Sequence, residues 1–313
     1  MISKKFRFQS LLFFLLLCSA AVWAQEKKPN PLIGRWDLTM TMDGEERPSW
    51  LEISQSGKSL VGRFVFAFGS ARPVSEIKMD GELFSFSIPP QYEPGEDDMA
   101  FEGTLAGDML KGSMRYTDGK NYNWVGTRAP KLSYNTSPKW GTPIDLLNGK
   151  DLSGWELQGE GEWLVDDGLL INAKPGANLL TTDTFKDFKL QVEFRYPEGS
   201  NSGIYLRGRY EVQIADNKGL EPGSLLFGGI YGFLTPNEMV AKNPGEWQQY
   251  DITLIGRRVT IVANGKAIIV DQNIPGITGG AIDSKEGEPG PLLIQGDHGP
   301  VEFRKIVLTP AMD

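Results

Sequence analysis

A chain of 313 residues with 32 basic and 40 acidic side chains carries a formal charge of −8, which argues against nucleic acid and anionic membrane surfaces as partners. It has one cysteine and one histidine, so with Cys18 inside a leader a disulfide framework, a thiol nucleophile and a histidine-rich zinc site are excluded. Its 37 glycines, 20 prolines and 11% aromatic residues fit short strands joined by tight turns, over a length that exceeds one typical core.

Residues 1–24 read as an export signal. Lys4, Lys5 and Arg7 precede an apolar run from Leu11 to Leu17, and a small-residue stretch ends at Val22-Trp23-Ala24. The mature chain is expected to begin near Gln25 and to work in the periplasm or outside the cell. The apolar run is too short for a bilayer core of roughly 30 Å, so no stable membrane insertion is expected after cleavage. Cys18 follows Leu17 rather than a small residue, which favours plain cleavage over lipid attachment.

Over residues 31–130, runs such as Trp36-Asp37-Leu38-Thr39-Met40 and Leu83-Phe84-Ser85-Phe86-Ser87-Ile88 alternate apolar and polar side chains. Turn dipeptides at Asp43-Gly44, Asp80-Gly81 and Asp118-Gly119 punctuate them, predicting a meander closed into a small β-barrel or sandwich. Residues 131–139 lack apolar periodicity and contain Pro138, so they read as a linker. From residue 140 to 313 the strand pattern continues with almost no helical period, predicting a second all-β domain, a two-sheet sandwich. Asn264-Gly265, between Val259-Thr260-Ile261-Val262 and Ala267-Ile268-Ile269-Val270, is the sharpest hairpin signal, because a two-residue turn of this type needs positive φ at both positions.

The segment from Asn201 to Asp216 is the richest in chemistry. Taken as one strand, it puts Ile204, Leu206, Tyr210, Val212 and Ile214 on a core face and Tyr205, Arg207, Arg209, Glu211 and Gln213 on the other. An aromatic ring, two guanidiniums, a carboxylate and an amide in one row suit a polyhydroxylated ligand, and equally an outer face laced with ion pairs. His298, in Gln295-Gly296-Asp297-His298-Gly299, is the side chain best suited to exchange protons near neutral pH. No Gly-x-Ser-x-Gly elbow accompanies it. Glu162, Asp166, Glu211, Asp216, Glu246, Asp251, Asp297 and Glu302 leave room for a two-carboxylate glycosidase or an oxygen-rich divalent metal site. Trp155, Trp163 and Trp247 offer planes for a sugar ring or for core packing.

Five blocks in order resemble the 3-keto-disaccharide hydrolase domain family. They are Leu147-Asn148-Gly149-Lys150-Asp151-Leu152-Ser153-Gly154-Trp155, Asn201 to Arg207, Tyr210 to Ile214, Gly245-Glu246-Trp247-Gln248, and Gln295 to Gly299 running on through Val301 to Ile306. The resemblance implies a concanavalin-like jelly-roll sandwich, export, and carbohydrate substrates oxidised at C3. A C3 carbonyl acidifies the C2 proton, so one base, one donor on the enolate oxygen and one acid at the leaving group suffice to expel the C1 substituent. On that scheme His298 or Glu211 is the base and Arg207 the enolate stabiliser, with a divalent metal ion as an alternative Lewis acid. Tyr205, Arg209, Gln213, Asn201, Asp297, Gln295 and Trp247 are expected to position substrate. A non-catalytic sugar-binding sandwich and a two-carboxylate glycosidase remain the competing readings.

Overall fold

Strict alternation along the first hundred residues produces eight antiparallel strands in the computed structural model, which describes residues 29–132 and 138–312. The leader with Cys18 and most of the expected linker lie outside the described residues. The eight strands run as a meander from Gly34–Met42 to Asn121–Arg128, and the first pairs with the last to close a barrel. Closure leaves no unpaired edge, which settles the choice between barrel and sandwich. At Asp43-Gly44 the backbone takes φ of 51° and 86°, giving the expected two-residue hairpin turn.

The barrel interior is apolar and aromatic, with Trp36, Phe64, Phe84, Phe101 and Trp124 among its buried residues. Gly103 lies opposite Gly112, and Gly112 opposite Trp124. A Cβ on either glycine would sit 2.6 or 2.4 Å from the indole. One large ring thus lies over two vacant positions, the large-against-small packing a narrow barrel requires.

The second half forms two sheets around a second core. Five strands make one sheet in the order Trp155–Gln158, Asn178–Thr181, Leu293–Ile294, Asn201–Leu206 and Tyr210–Ala215. A nine-stranded sheet faces it, with Val301–Met312 near its middle, paired to Phe188–Arg195 and Leu169–Asn172. Ile204, Val212 and Ile294 from one sheet meet Phe194, Tyr250 and Phe303 from the other in one buried cluster. Asn264 and Gly265, at φ of 50° and 82°, form the predicted hairpin between Ala263 and Lys266. Trp155 and Trp163 are buried, their indole N–H groups bonded to the carbonyls of Leu146 and Ala177, so they pack the core and offer no plane to a ligand. Among the described residues there is no helix.

Residues Leu32–Asp313 form one compact unit. Trp50 and Val65 point out of the barrel and belong to the sandwich's apolar cluster. The Trp50 ring meets Phe233 edge-on with centroids 5.2 Å apart, and a Cβ on Gly276 would lie 2.0 Å from its Nε1. A fully buried indole at this junction makes Trp50→Ala a cavity mutation. We expect it to lower the free energy of unfolding by about 3–5 kcal/mol, read from the denaturation midpoint in urea; a change under about 1 kcal/mol contradicts the packing described.

Candidate active site

The segment read as one strand is a hairpin. Arg207 and Gly208 take φ of 55° and 65°, and the chain reverses over the three residues Arg207, Gly208 and Arg209, so Asn201–Leu206 and Tyr210–Ala215 pair antiparallel. The register sets Tyr205 opposite Glu211 and Gly203 opposite Gln213, with Leu293 beside Tyr205 on the next strand. Because side chains alternate, these residues share the face turned away from the core, while Ile204, Val212 and Ile294 fill the other.

That outer face floors a cavity of about 530 Å³. Asn178, Asn201, Tyr205, Glu211, Gln213 and Leu293 come from the five-stranded sheet, Gln295, Asp297 and His298 from the loop that follows its middle strand. Tyr231, Gly279 and Gly280 complete the sandwich side. Phe68, Gly69 and Tyr92 come from the barrel. No lysine or arginine is among these lining residues.

Two glycines make room for the central pair. A Cβ on Gly203 would fall 2.6 Å from Glu211 Oε1, and one on Gly280 would fall 2.4 Å from Tyr205 Oη. Tyr205 Oη donates to Glu211 Oε2 at 2.9 Å and lies 3.1 Å from the carbonyl of Gly279. With one proton and two acceptors, the phenol can serve either charge state of the carboxyl: it bonds Glu211 when ionised and Gly279 when Glu211 carries its own proton. Burial pushes Glu211 up to about 8, the Tyr205 hydrogen bond and the charge of His298 pull the other way, and Asp297 adds to the rise. Burial likewise holds the Tyr205 phenol well above its ordinary value, so it stays a donor.

His298 stands at the exposed rim. Its Nδ1 lies 2.5 Å from Asp297 Oδ1, and that hydrogen bond raises its pKa against the smaller opposing effect of burial. With Nδ1–H given to Asp297, Nε2 keeps its lone pair. The loop is pinned from below: Gly296 N–H donates to Asn178 Oδ1 at 2.9 Å, and Asn172 Nδ2 donates to the Gly296 carbonyl at 2.8 Å. Gln295 N–H reaches the Gly203 carbonyl at 2.9 Å. Asn201 Oδ1 and Gln295 Oε1 are buried side-chain oxygens with no hydrogen-bond partner among the described residues, both on residues that line the cavity. They are ready acceptors for hydroxyl donors.

Seven of the ten expected site residues therefore line one cavity: Tyr205, Glu211, Gln213, Asn201, Gln295, Asp297 and His298. Three do not. Arg207 is fully buried behind the sheet, its Nη2 donating to Tyr210 Oη at 3.0 Å and to the Gly256 carbonyl at 2.7 Å, so it cannot hold an enolate here. Arg209 grips Asp283 through Nε and Nη2 at 2.6 and 2.9 Å. The hairpin turn explains both: it ends the alternation at Leu206 and sends the guanidiniums to the buried end of the sheet. Trp247 is flanked by the guanidiniums of Arg195 and Arg304, 4.8 and 4.4 Å from its ring, away from the cavity. Sequence reasoning missed the barrel residues Phe68 and Tyr92 and the sandwich residues Asn178 and Tyr231, which reach the site only through long-range packing. Among the described residues, no group of three or more His, Cys, Asp or Glu side chains is arranged to hold a metal ion.

Residues 142–309 match the family described as the 3-keto-alpha-glucoside-1,2-lyase-like domain. A 3-keto-disaccharide hydrolase of Bacteroides thetaiotaomicron is 30% identical over 95 residues, a match that spans 25% of this chain and 32% of the relative. The chain thus covers about a third of that relative's length. Among solved structures, a candidate glycosyl hydrolase from Parabacteroides distasonis is 28% identical, with 57% of this chain and 93% of that one aligned at a TM-score of 0.47. A carbohydrate-binding module from Bacillus subtilis aligns at 11% identity and a TM-score of 0.34, over 49% of this chain and 93% of its own.

The raised Glu211 pKa carries a stability signature. The native state keeps this proton up to about pH 8, whereas an unfolded glutamate loses it near 4.5. Between those values the native state binds the extra proton, so stability falls as pH rises, by at most roughly 1.4 kcal/mol per pH unit. Glu211→Gln removes the titration and should melt near the parent at pH 5 but above it at pH 9. Parallel melting curves across that range would show that burial does not hold the proton on Glu211.

Proposed function

This chain belongs to the 3-keto-alpha-glucoside-1,2-lyase-like domain family, and on that premise we propose that it cleaves glycosidic bonds of sugars oxidised at C3, by elimination followed by hydration. The observation that carries the reading is the convergence of two proton-exchanging groups of unlike environment on one cavity: buried Glu211, and the rim pair His298–Asp297. Environments that pull titrating groups apart assign acid and base roles.

His298, oriented by Asp297, takes the C2 proton through Nε2. The electron pair left on C2 delocalises onto the C3 oxygen as an enolate, then forms the C1=C2 double bond as the C1–O bond breaks. Glu211, protonated through neutral pH, gives its proton to the departing oxygen. Water adds to the resulting enone and yields the free 3-keto sugar. Hydrogen-bond donors for the enolate come from the amides of Asn201 and Gln295 and the phenol of Tyr231, in place of the arginine expected from the sequence. Residues 1–24 read as an export signal, so the proposal places this reaction in the periplasm or outside the cell.

The test compares a 3-keto-glucoside with its unoxidised parent, in deuterium oxide. Release of the leaving group from the keto form alone, with deuterium entering at C2, is the expected result. His298→Ala should reduce kcat by about 10²–10⁴-fold. Equal cleavage of both substrates without C2 exchange would assign the work to Glu211 and Asp297 as an ordinary carboxylate pair and overturn the elimination scheme.

A further inference from the structure

The family match begins at residue 142, so it does not account for the barrel's share of the cavity wall. Two barrel aromatics reach that wall: Tyr92, 61% exposed, and Phe68, 39% exposed. A single exposed ring is ordinary on a protein surface. These two are held in place by a buried framework.

Arg72 Nη2 pairs with Glu93 Oε1 at 2.7 Å, and the Glu93 side chain is fully buried. Glu93 Oε2 also accepts the backbone N–H groups of Gln91 and Tyr92, at 2.6 and 3.1 Å. The Tyr92 loop is thus wrapped around a buried ion pair, an arrangement that costs desolvation energy and returns fixed geometry. Gln91 then clamps the neighbouring loop, accepting Ser70 N–H and donating to Ser70 Oγ, both at 2.9 Å. That loop carries Phe68, which rests edge-on against Phe66 with centroids 5.2 Å apart. Gly280 N–H donates to the Ala67 carbonyl at 2.8 Å, laying the barrel loop directly on the sandwich loop that borders Tyr205. The Tyr92 phenol faces Tyr231 on the sandwich side closely enough to add to the rise that burial gives the Tyr231 pKa.

We propose that Phe68 and Tyr92 form the subsite for the departing half of the substrate, and that this half is an uncharged ring with a flat apolar face. The proposal rests on the cleavage reading above and adds what leaves. Two carboxyl groups and no lysine or arginine line the cavity, so phosphorylated or carboxylated leaving groups are disfavoured. The C–H face of a second sugar and the face of an aromatic aglycone share the required chemistry, since both pack on an aromatic plane.

The experiment measures kcat/KM for 3-keto-glucosides bearing methyl, glucosyl or phenyl leaving groups, with the parent enzyme, Tyr92→Ala and Tyr92→Phe. Tyr92→Ala should lose about tenfold on a ring-bearing leaving group and less than about twofold on methyl, and Tyr92→Phe should retain most of the parent's preference. Loss on the glucosyl substrate alone assigns the subsite to a second sugar, and loss on phenyl alone assigns it to an aromatic group. Equal loss on all three, or on none, overturns the proposal. Calorimetric binding of the unoxidised methyl, glucosyl and phenyl glucosides keeps the two readings apart. If the parent turns over no keto substrate, the cleavage reading fails alone. In that case the subsite stands if Tyr92→Ala weakens binding of a ring-bearing glycoside but not of the methyl one, and falls if binding is unchanged.

Discussion

Two residues of positive φ, Arg207 and Gly208, turn the chain so that Tyr205 comes to lie across from Glu211. The whole cavity depends on that register. Side chains alternate with a period of two, so a slip by one residue would bring Ile204 and Val212 into the cavity and drive the phenol and the carboxyl into the apolar core. The gap left by Gly203 then admits the Glu211 side chain, which has a buried position with the Tyr205 phenol as donor and no lysine or arginine lining the cavity around it. Desolvation does the rest: a group that ionises readily in water keeps its proton here into the range where an enzyme works.

The arginines of the turn have a structural part in this. Arg207 meets Tyr210, Tyr210 donates to Glu286 Oε1 at 2.6 Å, and Glu286 pairs with Arg257. Arg209 holds Asp283, the residue before Ser284, whose hydroxyl donates to the Leu38 carbonyl of the barrel at 2.6 Å. Asp37, one residue earlier in that strand, is buried, and its pKa is pushed up to about 8 by burial and by Glu286. The closed end of the hairpin is therefore joined to the barrel through the Arg209–Asp283 pair and the Ser284 hydrogen bond, while its open end carries the proton-exchanging groups. Both halves of the protein converge on the same few residues, one from behind the sheet and one across its face.

Much of the architecture was legible because strands announce themselves locally. Alternation from Trp36 to Met40, Asp43-Gly44 and Asn264-Gly265 each have one reading, and the structure follows it. The hairpin at Arg207-Gly208 did not, because arginine seldom adopts positive φ and the residues around it continue the apolar–polar alternation. Charged residues in that stretch look the same whether they face solvent, a substrate or a buried partner, and only the partners Asp283, Glu286 and Gly256, 49 to 76 residues away, decide. His298 and Asp297 stood out by their scarcity and their neighbours. Phe68 and Tyr92 had no local signal, since what makes them part of the cavity is the docking of the barrel through Trp50.

The central place of Val301–Met312 in the larger sheet also orders events in time. The barrel joins neighbours in sequence and can close once Arg128 has been made, but the sandwich cannot assemble around a strand that has not yet been synthesised. During synthesis the strands from Trp155 to Asn273 wait without their partner, so the growing chain passes through a long interval in which apolar sheet faces stand open beside a finished barrel. A chain built this way keeps apolar sheet faces open until its last strand arrives, and a truncation before Val301 would leave the barrel joined to a sheet without its central partner.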